Sequence, residues 1–503
     1  MMSSEEALGN SPAARLRAWT PVFVAVVAAL ASDCGGDVSV NPSIAASRVI
    51  RMVPWVYMPS ADMEISEENP FPREAIRLLA REWERLHPGV RIEFMVAAQE
   101  QSAYLTWVET QCRGGTIPEI IFYFPPGDKL ANQAWVLPLD TFLEQPNKYV
   151  PGNRHWRDLI VPACLAPPWM AQDGHNYFIP VDIFMTSLFY NTAILEKAGV
   201  HLPIETWAEF MDAHRRIREA GYEPFWSRAM WSLWPRELMG QLMHDEPTFR
   251  RLDVLDPNGR IDPEENARGA YLDIIGIHES RFHEYLRLMK EWSRYWKTGF
   301  SFNKSPDSVN LFRAGRLGIS WDGALNLSDY ENDPYVTFDF ELGWFPPMTK
   351  ASSPFASART PERIPVPGTC FYVTQSAVDN DLLEPVLDWL MFLTTPGNVA
   401  KLTQEETGIK IPPAILGAKV DPVLAPVLAQ VTELTGILPI YWGLSPEAED
   451  NFDRIFELYL MDELTLEQAL ARMAKWTDFG VREAIRDNQT LTNPEDRWDL
   501  SRW

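Results

Sequence analysis

The sequence predicts an α/β protein built from two or three core units. Three observations carry that expectation. From Arg48 to Asp140, alternating apolar runs and amphipathic stretches follow one another as strand, helix, strand, helix, strand. That order implies parallel strands joined by crossover helices. From Tyr177 to Phe225 the order is apolar strand, capped helix, Pro-marked loop, capped helix, closing on an aromatic cluster. Finally, 503 residues with 46% apolar content exceed one ordinary domain and can fill sizeable cores.

Taken in order, the chain opens like an export signal. Arg15 and Arg17 precede an apolar run from Ala18 to Ala31, too short for a comfortable membrane span. Ala29-Leu30-Ala31 fits a cleavage site, and Cys34 before Gly35-Gly36 raises lipidation as the alternative, although Asp33 sits where a small residue is usual. A signal peptide and linker are therefore expected over 1–47.

Arg48 to Val53 reads as the first strand. A helix should run from Pro72 to His87, with Ile76, Leu79, Trp83 and Leu86 as its apolar stripe and Pro88-Gly89 as its stop. Val90, Ile92, Phe94 and Val96 alternate with Arg91, Glu93 and Met95, a strand pattern. Tyr104 to Arg113 reads as a helix, Ile117 to Phe122 leads into a strand, and a short helix should surround Leu130.

Ser187 to Tyr190 reads as a buried strand, and Asn191 can cap the helix that ends at Gly199. Thr206 and Glu209 have capping-box spacing, in which each side chain satisfies an orphan N–H of the other's turn. Phe210, Ala213 and Ile217 share a face of that helix, and Gly221 can end it. Further helices are expected over Phe282–Trp296, Leu382–Thr394, Pro446–Leu460 and Thr465–Trp476, the last opened by a Thr465/Gln468 box. Ala351–Pro367 reads as a loop and Gly368–Gln375 as a strand. The tail beyond Arg486 is polar and should be loosely held.

The stretch FIPVDIFMTSLFYNTAILEKAGVHLPIETWAEF, Phe178 to Phe210, resembles the central signature of the family 1 extracellular solute-binding proteins of ABC importers, the maltose-binding-protein-like carbohydrate binders. HPGVRIEF, GTIPEIIF and WVLPLDTFL resemble the family's opening segments, with Glu119 for the usual Asp and Trp135 for the usual Gly. Phe312 to Gly323 resembles its glycine turn, Gly343 to Pro347 its Pro-x-Pro strand end, and Gly408 to Pro413 its Gly-x-x-Pro. The resemblance runs from about Arg48 to about Val481. It implies a periplasmic binding protein type II fold, with two discontinuous α/β lobes joined by a hinge and a ligand cleft between them. Lobe 1 would hold 48–158 plus 372–428, lobe 2 would hold 159–371 plus 429–490, and 491–503 would be a C-terminal tail. Crossovers are expected near Cys370 and Gln430.

The family places ligand-binding residues on loops facing the cleft. Carried over, these are Trp55 and Tyr57 after the first strand, Tyr123 and Asp128 after Ile120–Phe122, and Asp182 before the Tyr-Asn strand. Trp231 and Trp234 lie in the aromatic segment, Trp321 and Asp322 in the glycine turn, and Tyr441 and Trp442 after the last crossover. A neutral sugar presents flat C–H faces for aromatic rings and hydroxyls for carboxylates and amides. The competing assignment for each Trp is core packing, and for each Asp a cap.

Catalytic patterns are missing from the sequence. It contains no Gly-x-Ser-x-Gly, no His-Glu-x-x-His and no phosphate-cradling glycine loop. His is scarce, at 8, and none is paired at metal spacing; His278 and His283 read as solvated. No cofactor and no metal are expected. With 69 acidic side chains, a glycosidase dyad cannot be singled out by spacing. The net charge of −24 disfavours a nucleic-acid partner. Cys112, Cys164 and Cys370 read as buried small residues, with one disulfide as the alternative. The expected protein is a monomer, periplasmic or extracellular, that captures a sugar or oligosaccharide for an ABC permease. A secreted glycan-active enzyme and a ligand-sensing subunit for a membrane receptor are the alternatives.

Overall fold

A computed structural model describes residues 48–60, 72–97, 101–166, 169–171, 173–227, 235–243, 246–257, 261–300, 308–324, 326–356, 366–404, 409–428, 444–489 and 497–503. The export signal, Cys34 and Gln430 lie outside them.

The first sheet has five strands in the order β2-β1-β3-β11-β4. These are β1 (Arg48–Met52), β2 (Val90–Phe94), β3 (Ile120–Phe122), β4 (Phe178–Pro180) and β11 (Cys370–Val373). β1 runs parallel to β2 and β3, as the strand-helix alternation requires, whereas β11 is antiparallel to β3 and β4. Successive residues serve opposite faces. Ile120 and Phe371 join Trp83, Trp156 and Trp389 on one side. Ile121 and Tyr372 join Tyr104 and Phe178 on the other.

The helix Ala75–Leu86 buries Ile76, Leu79 and Trp83, but Leu86 is 59% exposed. Leu86 is the last residue of the helix. Val96 is likewise exposed, because β2 is an edge strand that stops at Phe94. Glu119 is fully buried and accepts two guanidinium bonds from Arg51, a third from the Arg51 N–H, and a fourth from the Asn380 amide. The extra methylene relative to Asp therefore serves an ion pair inside the sheet. The Arg113 guanidinium lies 5.6 Å over the Trp135 ring, which gives the second departure from the family pattern a cation–π contact.

The second sheet has the order β7-β8-β6-β9, with β6 (Thr186–Asn191), β7 (Glu223–Ser227), β8 (Leu317–Gly323) and β9 (Phe340–Gly343). β6 is antiparallel to β8 and β9, and β7 is parallel to β8. Asn191 caps the next helix by accepting the Ile194 N–H at 3.1 Å. Thr206 accepts the Glu209 N–H at 3.2 Å, but Glu209 takes the N–H of Glu205 rather than that of Thr206, so the box is shifted by one residue. Thr465 and Gln468 form the reciprocal pair in full, and the helix they open runs on to Gln489.

The chain leaves the first sheet after β4, passes through β5 (Ile183–Phe184) and enters the second at β6. It returns through β10 (Val366–Pro367), which pairs antiparallel with β5, and continues into β11. The first crossing lies well beyond the expected boundary at residue 158, whereas the return crossing falls next to Cys370, where one was expected. Phe178–Pro180 and Cys370 belong to the first sheet, and Ile160 and Cys164 pack in its core. Leu424 already packs with the second lobe, ahead of residue 429. The reason is packing: Trp156, Ile160 and Cys164 lie on short turns that cover the first sheet, and nothing in their local pattern marks a lobe end.

The C-terminal residues 497–503 are not loose. Trp498 is 4% exposed, and Arg497 sits 3.0 Å from Asp256 and 3.5 Å from Glu264. Cys112, Cys164 and Cys370 are free thiols. His283 Nε2 lies 2.7 Å from the Ile277 carbonyl, a structural contact.

Candidate functional site

Strand directions decide which ends of the two sheets face the crossovers. In the first lobe the crossovers enter and leave at the end of β4 and the start of β11. Phe371 pairs with Phe122, so the carboxyl end of β3, and of β1 parallel to it, lies at that same end. In the second lobe β6 begins at the crossover, and Thr186 pairs with Gly323, so the carboxyl ends of β8 and β7 lie there too. Each lobe thus offers the carboxyl ends of its parallel strands, where open α/β sheets bind ligands.

On the first lobe, Trp55 follows β1 in the left-handed region, at φ 55°. For a bulky side chain this costs roughly 1–3 kcal/mol and persists only where surroundings enforce it. Those surroundings are rings. Trp55 stacks on Phe122 at 4.5 Å and 13°, and contacts Tyr104 at 4.9 Å and Phe124 at 6.4 Å. The Tyr104 hydroxyl donates to the Phe122 carbonyl at 2.6 Å, which fixes the ring beneath. Trp55 remains half-buried.

Tyr123 is 9% exposed and packs edge-on to Tyr372 at 5.9 Å. Burial, with the nearby Glu109 charge and Cys112, pushes its hydroxyl up to about 12, so it stays a neutral donor. Asp128 is half-buried at the first turn of the helix Asp128–Asn132, after Gly127 at φ 82°. Only glycine fits at 127: a Cβ there would lie 2.6 Å from the Tyr372 ring.

Tyr57 and Asp182 do not reach outward. They bind each other: the Tyr57 hydroxyl donates to Asp182 Oδ2 at 2.7 Å, with both residues buried. The Thr369 N–H donates to Asp182 Oδ1 at 3.0 Å. Burial raises the Asp182 carboxyl above the usual range, and these two donors pull it back in part.

On the second lobe, Trp321 and Asp322 lie within β8 rather than in a turn, and both are buried, at 2% and 3%. Trp321 meets Phe345 edge-on at 4.5 Å and Trp344 at 6.4 Å. Asp322 Oδ1 accepts from Ser308 at 2.8 Å, and Oδ2 accepts from Ser320 and, at 3.4 Å, from Tyr330. The strand alternation that exposes one side chain to a cleft is absent here, because β8 is buried on both faces from Leu317 to Asp322. Trp231, Trp234, Tyr441 and Trp442 lie outside the described residues.

Trp55 and Tyr123 thus belong to one aromatic cluster of the first lobe, Asp128 opens the helix that follows β3, and Tyr57 and Asp182 are buried against each other. The sequence reading missed Phe122, Phe124 and Tyr104, which support Trp55, and Trp344, which follows β9. For Phe122, Phe124 and Trp344 the available signal was an aromatic at or just after the end of an apolar strand run; Tyr104, on a helix, carried none. Among the described residues, no three His, Cys, Asp or Glu side chains are grouped to hold a metal ion, and no helix is long and apolar enough to cross a membrane.

The family model for bacterial extracellular solute-binding proteins matches residues 70–400, more than half of the chain. Comparison with curated protein sequences finds no match. Among solved structures, the chain resembles a family 1 extracellular solute-binding protein from Bifidobacterium longum subsp. infantis, at 15% identity and a TM-score of 0.57, covering 86% of this chain and 100% of that one. It also resembles the GacH receptor of Streptomyces glaucescens GLA.O, at 14% identity and a TM-score of 0.58, covering 88% and 99%. A third is an ABC transporter solute-binding protein from Thermotoga lettingae TMO, at 14% identity and a TM-score of 0.56, covering 86% and 100%. At these identities the likeness establishes the two-lobed fold, and the family match establishes membership: the chain belongs to the bacterial extracellular solute-binding proteins, and is a binding protein rather than an enzyme.

Proposed function

We propose that the protein captures a sugar or oligosaccharide between its lobes and delivers it to an ABC permease in the membrane. The observation that carries this reading is Trp55, held in a strained backbone conformation on a stack of rings at the carboxyl ends of β1 and β3. A flat, rigid, partly exposed indole suits the C–H face of a pyranose, and Asp128 and the Tyr123 hydroxyl lie on the neighbouring loop for its hydroxyls. Two relatives support the same class. The GacH receptor has been solved in complex with acarbose, and the Thermotoga lettingae protein with alpha-D-tagatose. The mature chain starts after Ala31 or at a lipidated Cys34, and the intact mass of exported protein separates the two.

A thermal-shift screen against mono- and oligosaccharides tests the ligand class. At least one sugar should raise the melting temperature, by an amount that grows with concentration as linkage requires. Small-angle scattering with that sugar should show a smaller radius of gyration. A panel without any shift, alongside a shift with amino acids or peptides, would overturn the carbohydrate reading.

A further inference from the structure

The two crossovers are joined by the short β5–β10 ladder and, beside it, by Asp182. Asp182 sits on the first, between β4 and β5, and its main-chain carbonyl accepts the Gly368 N–H at 2.9 Å on the second. Its carboxylate accepts the next N–H along, from Thr369. The contact is close enough that a Cβ on Gly368 would fall 1.9 Å from Asp182 Oδ1, so only glycine admits the carboxylate here. A third segment lies alongside, since the Ile183 N–H donates to the Pro412 carbonyl at 2.8 Å and Asp182 bridges Pro413.

The remaining carboxylate oxygen is taken by Tyr57, which comes from the turn after β1. That three-residue turn, Trp55–Tyr57, begins with the strained Trp55. We infer that the buried Tyr57–Asp182 bond couples the Trp55 turn to the interlobe crossovers, so that the opening of the lobes and the position of the indole are set together. Rotation of one lobe on the other changes backbone angles where the chain crosses, at residues 181–185 and 366–369. A hydrogen bond fixed at one end to those segments and at the other to the Trp55 turn must deform, or carry the turn with it. The bond is shielded from water, and a buried carboxylate that loses a donor is left poorly compensated, so the link resists slipping. The indole's part in this rests on the proposed sugar site; the hinge part does not.

The test uses the full chain without ligand. Spin labels at Leu78→Cys in the first lobe and Tyr335→Cys in the second, both at exposed positions, in a Cys34→Ala and Cys112→Ala background, report the distance between lobes by pulsed electron resonance. Tyr57→Phe keeps the ring and removes the bond. It should shift and broaden the distance distribution while the melting temperature moves by only a few degrees. Asp182→Asn, which keeps an acceptor for one donor only, should change the distribution in the same direction but less. Distributions for both variants that superimpose on the parent chain would overturn the inference. Because no ligand is present, this result stands whichever solute binds. A separate affinity measurement with the best sugar should show a several-fold loss for Tyr57→Phe, and unchanged affinity would remove the coupling to the rim.

Discussion

The rims of the two lobes use the same residue types in opposite ways. On the first lobe, an indole lies just after the end of a strand, in a turn that strains its backbone and leaves it half-exposed on a stack of rings. On the second, Trp321 and Asp322 lie within the strand and are closed off by Phe345, Trp344, Ser308, Ser320 and Tyr330. A Trp-Asp pair beside a glycine is therefore no sign of a binding platform by itself. What separates the two is whether the chain has already left the sheet. Inside the strand both faces are covered, whereas three residues past its end, at Trp55, a side chain can turn toward the cleft.

That contrast breaks most readily at Trp321. Trp321→Ala should destabilise the protein by about 3–5 kcal/mol, the cost of a large cavity in a packed core. Urea unfolding followed by fluorescence checks this. A loss under about 1 kcal/mol would move Trp321 from the core to the cleft.

A second difference sharpens the picture of the second lobe's interior. His214 is fully buried there, its Nδ1–H donating to the Phe210 carbonyl and its Nε2 accepting the Trp292 indole N–H at 3.2 Å. A proton on Nε2 would face that N–H. Burial, foremost, with the Arg218 charge adding to it, brings the imidazole down to about 4, although its bond to the Phe210 carbonyl opposes the change. Between about pH 6.5 and 4 the unfolded chain therefore holds a proton that the folded chain does not. This contribution is complete above the unfolded pKa and is lost as the pH falls through the folded one, by about 1.4 kcal/mol per unit and about 3 kcal/mol in all. His214→Phe should lower stability at neutral pH and flatten its slope over that window. Parallel slopes for the variant and the parent chain would show that His214 does not titrate this way.

Much of the fold was legible from local rules. Asn191 and Thr465 cap as their spacing predicts, because a cap needs only a side chain and an N–H three residues on. Ile76, Leu79 and Trp83 face inward because a helical stripe has one available core. The rest depends on long-range contacts. Residues 156–165 look like a connection, yet Trp156 donates its indole N–H to Thr394, 238 residues away, and thereby belongs to the first lobe. Of the candidate site, Trp55 was legible as an aromatic after a strand. Tyr57 and Asp182 were legible as polar residues near strand ends, but not as partners 125 residues apart. No period or spacing encodes such a pair. The same holds for Asp322, whose acceptors are consumed by hydroxyls from three other elements or strand positions.

A smaller expected effect concerns the first-lobe loop. Gly127→Ala would push a methyl group into the Tyr372 ring and strain a left-handed backbone, so it should cost about 1–3 kcal/mol and weaken binding through displacement of Asp128. Melting temperature and sugar affinity should fall together. A variant as stable and as tight as the parent chain would show that the loop adapts.

Calorimetric titration of Trp55→Ala and Trp321→Ala, side by side with the best sugar from the panel, tests the central claim most directly. Loss of an aromatic anchor costs about 2 kcal/mol, so Trp55→Ala should bind roughly thirtyfold more weakly while staying folded. Trp321→Ala should lose stability first, and whatever fraction stays folded should bind with an affinity near that of the parent chain. Undiminished binding by Trp55→Ala, together with a large affinity loss in a stably folded Trp321→Ala, would contradict the assignment of the platform to the first lobe.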